Sequence, residues 1–227
     1  EIGRIQPEVT NFNQADTLMH PNICSFTKSV LEDVLAGDYE GVVFTTCCDS
    51  IRRLYDVLKQ QCPDKFLYLL DVPRKVNDFS TEMYRKNMLD MVHAYEAFSG
   101  KTFDEAQLKQ LLERREAGQN LRTAPKNKAS VHIGLMGARC SKGIIDLLEN
   151  RSVDILFDMT CTGLKREFHV ESDNLLQAYA WQLLNQVPCL RMVKAVNREN
   201  YMEGFKDRLD GILYHTVQFC DNYAYEY

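Results

Sequence analysis

The chain carries eight cysteines, and several of them stand where an apolar run gives way to a helix. In Gly41 to Gln60, GVVFTTCCDSIRRLYDVLKQ, Cys47 and Cys48 follow Val42, Val43 and Phe44 and precede Asp49. Cys220 repeats the arrangement, standing behind the run GILYHTV and ahead of Asp221. Cys140 follows Val131 to Met136, and Cys161 follows Val153 to Phe157. Thiols at a strand end and helix start meet an electropositive backbone that favours thiolates, and thiolates serve as nucleophiles or as soft metal ligands. In open α/β sheets that same edge is where ligands bind. A small buried hydrophobe is the plain alternative for any one of these cysteines. Their recurrence at strand ends argues against it. No Cys-x-x-Cys pair is present, so a metal site has to be assembled from distant segments.

The positioning elements are legible around these residues. Val42 to Phe44, bounded by Gly41 and a polar exit, is a buried strand of a parallel sheet. Asp49 is the expected N-cap of the following helix, in which Ile51, Leu54, Tyr55 and Leu58 face the sheet while Arg52, Arg53, Asp56 and Lys59 face water. Residues 1–22 are weakly patterned and read as extended. Asn22 to Ala36 forms a helix with Cys24 in its first turn and Gly37 at its end. Phe66 to Leu70 is a short strand, and Ser80 to Phe98 a helix whose methionines fill core. Thr102 to Glu105 is a capping box. The polar, basic stretch 119–130 with Pro125 is the best boundary. It divides an α/β domain at 1–120 from a second at 121–227.

In the second half the expected order is strand, Cys140, helix to Asn150, strand, Cys161, helix Asn174 to Gln186, Pro188-Cys189, helix Arg198 to Leu209, strand, Cys220. Such alternation implies a parallel sheet with right-handed crossovers. The final residues read as the opening turns of a helix with no later strand, which makes the second domain incomplete at its C-terminus.

Composition narrows the function classes. The 227 residues are 45% hydrophobic and 26% charged, a folded chain, and the net charge of -5 provides no basic surface for nucleic acid. No apolar run approaches the roughly 20 residues that span a bilayer. The expected location is cytoplasmic, and the cysteines are too sparse for a disulfide scaffold. The glycines at 134, 137, 143 and 163 fit neither Walker nor dinucleotide spacing, so nucleotide hydrolysis belongs to a partner.

Five blocks, HPNICSF, FTTCCDSIRRLYD, DMTCTGLKREF, VPCLRMV and DGILYHTVQFCDNYAYE, in this order, resemble the 2-hydroxyacyl-CoA dehydratase D-component family. That family also includes the benzoyl-CoA reductase subunits and the double-cubane cluster proteins. The resemblance implies two Rossmann-like (flavodoxin-like) parallel-sheet domains with an iron-sulfur cluster between them. It implies Cys24, Cys48 and Cys220 as ligands of a 4Fe-4S cluster, or of one half of an 8Fe-9S double cubane. Of these, Cys48 and Cys220 also follow from strand-end position, whereas Cys24 rests on the resemblance alone. Cys48 is preferred to Cys47 because it precedes aspartate, as Cys220 does. Cys161 and Cys189 belong to family-like blocks and read as buried thiols.

Three thiolates leave one iron open, and that iron stands where a catalytic side chain otherwise would. The implied activity is radical dehydration or reduction of an acyl-CoA with a low-potential electron from an ATP-dependent activator protein. The implied assembly is a homo- or heterodimer with a related subunit. Two other readings stay open: a double-cubane, ATP-dependent reductase of small molecules, and a cluster-bearing electron-transfer protein without a substrate. The run from Glu8 to Cys24 is shorter than the family's usual spacing.

Overall fold

The computed structural model describes residues 8–118, 131–161, 174–185, 190–193 and 196–224. Within them the chain is α/β with parallel strands, as the alternation of the sequence predicts. It forms two compact units, one made of residues 1–72 together with 216–227 and the other of residues 73–215.

The first unit begins with α1 (Asn13–Leu18) and α2 (Ser25–Ala36), followed by β1 (Gly41–Thr45), α3 (Asp49–Gln61) and β2 (Phe66–Leu70). The strands β1 and β2 pair in parallel, with Val43 opposite Tyr68. One sheet face is covered by α2 and α3: Leu31, Val34, Leu54 and Leu58 are wholly buried and pack with Val42 and Phe44. Burial of a leucine of this kind contributes about 1.5–3 kcal/mol. These are the apolar positions of the helical and strand periods in the sequence.

Two local expectations need correction. Asp49 is the first residue of α3, and the cap position belongs to Cys48, whose backbone is extended (φ -153, ψ 164). The extended stretch expected before residue 22 contains the helix α1. Its cap residue Phe12 makes no side-chain cap, and the free amides of Gln14 and Ala15 donate instead to Glu32 Oε1 at 2.7 and 2.9 Å. That carboxylate comes from α2, so a tertiary contact does what a local capping residue usually does.

The second unit opens with α4 (Asp78–Ser99), capped by the Asn77 side chain, which accepts from the Ser80 amide at 2.8 Å. It ends at Gly100, in the left-handed region at φ 69. Then comes α5 (Glu105–Gly118). Its cap is Asp104, whose Oδ1 accepts from the Ala106 amide at 2.8 Å, so the predicted box on Thr102 is displaced by two residues. The strand β3 (Val131–Gly137) lies between β4 (Val153–Thr160) and β5 (Gly211–His215), both parallel to it. Gly137, at φ 97, has to be glycine, because a Cβ there would collide with the His215 carbonyl.

Between the strands lie α6 (Lys142–Glu149), α7 (Leu175–Asn185) and α8 (Val196–Glu203). The helix expected over 198–209 stops at Glu203, ahead of Gly204, and a separate 3-10 turn follows at Lys206–Arg208. Met136, Phe157 and Met159 are buried on the sheet, with Phe205 and Tyr201 packed edge-on or tilted against Phe157.

After β5 the chain rejoins the first unit through α9 (Asp221–Ala224). Phe219, just before it, has a positive φ of 66, uncommon for an aromatic residue. No helix among the described residues is long and apolar enough to cross a membrane.

Candidate metal centre

The three cysteines singled out as ligands share one local arrangement. Each stands immediately before a helix, and its carbonyl accepts the first bond of that helix. Lys28 N donates to Cys24 O at 3.2 Å, Arg52 N to Cys48 O at 3.2 Å, and Ala224 N to Cys220 O at 3.1 Å. Cys24 and Cys48 are the cap residues of α2 and α3. Such a position suits a thiolate, because the unpaired amides of the first turn concentrate positive potential there. The recurrence separates these residues from Cys140, which lies ahead of the cap residue Ser141 of α6, and from Cys161, which follows β4.

All three also belong to the first unit. Cys24 is buried, whereas Cys47, Cys48 and Cys220 are half-buried. The Cys48 thiol is pushed well above the usual thiol range. The largest cause is its hydrogen bond with Cys47, followed by burial and by the like charge of Cys47, and Cys24 adds repulsion of the same sign. The backbone amide of Ile51, in the first turn of α3, acts in the opposite direction. Cys48 stands beside Cys47 in the loop between β1 and α3. The segment carrying Cys220 is tied to the same loop, for Asn222 Nδ2 donates to the Cys47 carbonyl at 3.4 Å.

The Cys47–Cys48 loop is anchored from beneath. Thr46, buried at the exit of β1, donates its hydroxyl to Asp71 Oδ1 at 2.6 Å and accepts from the Val72 amide at 3.1 Å. Its own amide donates to the Leu70 carbonyl at 3.0 Å. The ends of β1 and β2 are therefore clamped next to the two thiols. On the other side, Cys24 Sγ lies 3.2 Å from Thr27 Oγ1, and both residues are buried.

Thr27, Thr46, Asp71 and Asn222 were not foreseen as part of this site. Thr27 had a usable signal, since a residue three positions into a helix faces its cap. Asp71 had a weaker one, as the residue leaving the strand paired with β1. Nothing local marks Asn222.

The remaining cysteines stay outside. Cys161 is exposed, which overturns its expected burial. Cys140 is buried, and burial, followed by the charge of Asp158, raises its thiol above the ordinary range. Cys62 closes α3. Cys189 lies outside the described residues. Among the described residues no three His, Cys, Asp or Glu side chains form a group that could hold a metal ion.

Parallel strands alternating with helices, three of which begin just after Cys24, Cys48 and Cys220, define an α/β class of protein. The chain belongs to the 2-hydroxyglutaryl-CoA dehydratase, D-component family, whose model matches residues 3–124 and 116–227. No curated protein matches it at a significant level.

Proposed function

We propose that the protein is the iron-sulfur subunit of a 2-hydroxyacyl-CoA dehydratase-like enzyme, with Cys24, Cys48 and Cys220 holding a 4Fe-4S cluster. The observation that carries this reading is the common position of the three cysteines, each opening a helix within one unit. Their donor chemistry fits such a group: soft sulfur ligands, two of them at the N-termini of full-length helices. Family membership supports the same reading. Bound through three thiolates, the cluster would supply an iron with an open position and a store for one low-potential electron.

The residues of the chain have separate tasks. Cys24 and Cys48 present sulfur from the starts of α2 and α3, where the helix amides favour the anion. Thr46 and Asp71 fix the loop that carries Cys48. Asn222 holds the Cys220 segment against that loop. The substrate is an acyl-CoA, the electron comes from an ATP-hydrolysing activator protein, and the subunit works as a dimer with a related chain.

The deciding experiment is anaerobic purification of the protein and its Cys24→Ser, Cys48→Ser and Cys220→Ser variants, with iron and acid-labile sulfide measured in each. The wild type is expected to carry four irons per cluster and each variant to lose them. Retention of a full cluster by Cys48→Ser or Cys220→Ser overturns the ligand set. A sulfide content above two full cubanes per dimer would instead indicate a bridged double cubane. Turnover of an acyl-CoA by the loaded protein is expected only with activator and MgATP, and many cycles driven by a chemical reductant alone would overturn the activator requirement.

A further inference from the structure

Thr27 is wholly buried, at 0% exposure, although its side chain is polar. Burying a hydroxyl without a hydrogen-bond partner is costly. Among the described residues the partner of this hydroxyl is the sulfur of Cys24, 3.2 Å away. The two residues are three apart, Cys24 at the cap and Thr27 in the first turn of α2, which places them on one face of the helix start.

The pair has a directional consequence. Facing a neutral thiol, the hydroxyl could donate or accept. Facing a thiolate, it can only donate, because the sulfur no longer carries a proton. A metal ligand is a thiolate, so ligation by Cys24 commits the Thr27 proton to its sulfur. The arrangement is not repeated at Cys48, where the equivalent position is Ile51, a side chain without a donor. Cys24 and Cys48 therefore differ: the first faces a buried hydroxyl and the second a neighbouring thiol.

We propose that Thr27 is a positioning residue for the metal centre, which orients the Cys24 sulfur and, by donating to it, makes the bound cluster easier to reduce. This rests on the reading of Cys24 as a cluster ligand. Hydrogen bonds to the sulfurs withdraw electron density from the metal and are among the means by which a protein sets a cluster's reduction potential. Thr27 is a side-chain donor that a substitution removes while the backbone amides at the helix starts stay in place.

The test is a spectroelectrochemical titration, under argon, of the reconstituted wild type, Thr27→Val and Thr27→Ser proteins, with iron and sulfide measured in the same samples. Thr27→Val keeps the shape and removes the hydroxyl, while Thr27→Ser keeps the hydroxyl and removes the methyl. The expected result is equal iron in all three, a midpoint potential shifted to more negative values in Thr27→Val, and a wild-type potential in Thr27→Ser. Equal potentials in wild type and Thr27→Val overturn the proposal and leave the cluster assignment standing. A serine variant that shifts as the valine variant does also overturns it, because packing and not the hydroxyl would then be responsible. A wild type that assembles no cluster overturns both readings. Should Thr27→Val fail to fold by circular dichroism, Thr27→Ala against Thr27→Ser makes the same comparison.

Discussion

Asn222 Nδ2 donates to the backbone carbonyl of Cys47 at 3.4 Å, joining residues 175 apart in sequence. The bond ties the segment that carries Cys220 to the loop that carries Cys48. Asn222→Ala is expected to cost about 0.5–1.5 kcal/mol, the net worth of one such bond. Its sharper effect should be local: hydrogen exchange across 216–224 should accelerate while α2 and α3 keep their protection. Unchanged exchange in that segment would show that other contacts hold it.

Cys47 and Cys48 are neighbours with different assignments, so a single pair of substitutions separates them. Cys47→Ser is expected to retain the iron content of the wild type, and Cys48→Ser to lose it. The opposite pattern in an anaerobic iron assay would move the ligand by one residue.

Thr46 satisfies two partners at once, the Asp71 carboxylate and the Val72 amide. Thr46→Val removes both of these bonds. The expected loss of stability in denaturant unfolding of the metal-free protein is about 1–3 kcal/mol. A loss no larger than that of an ordinary surface substitution would mean that water replaces the hydroxyl.

Much of this architecture was open to reading because it rests on local patterning. The run Val42 to Phe44 and the spacing Ile51, Leu54, Leu58 specify a strand and a helix, and both formed, but the strand expected to be buried is so on one face only: Val42 and Phe44 are inside and Val43 is exposed. What escaped was set by contacts distant in sequence. The helix α1 takes its cap from Glu32, and the Thr46–Asp71 clamp joins two strand ends. The return of the chain after β5 to the unit of β1 has no local signature, because alternating strands and helices state an order and not a partner. Of the proposed ligands, Cys48 is singled out by its place at a strand end, whereas Cys24 is reached only through family resemblance. A lone cysteine ahead of a helix looks like core until its neighbours are known.

Phe219 sits at φ 66, in the left-handed region. For a side chain with a Cβ this conformation costs roughly 1–2 kcal/mol. Phe219→Gly removes that cost, while Phe219→Val places a branched carbon where the backbone tolerates it least. The valine variant is expected to unfold at lower denaturant than the glycine variant. The reverse order would show that the φ value imposes no strain on Cys220's segment.

Asp210 accepts first from the His132 backbone amide, at 2.7 Å, and then from the His132 ring, and these bonds hold its carboxyl below the usual range. A carboxylate with a lowered folded-state pKa stabilises above its unfolded pKa, and the benefit disappears as the pH falls through the lowered value. The pair is exposed, so the effect is small and salt-sensitive. A carbon-detected NMR titration should show Asp210 titrating below the ordinary aspartates. A midpoint at or above theirs would contradict the bond to His132.

Because residues 1–72 are completed by 216–227, the first unit is discontinuous in the chain. During synthesis Cys24 and Cys48 leave the ribosome long before Cys220, with all of residues 73–215 in between. As proposed ligands, their sulfurs wait for the third through the time needed to make that insert. Closing so long a loop adds little to the equilibrium cost, since that cost grows only with the logarithm of length. With these cysteines as the proposed ligands, the delay predicts metal loading after translation, and the interval is one in which the vicinal thiols Cys47 and Cys48 are open to oxidation or to the wrong metal.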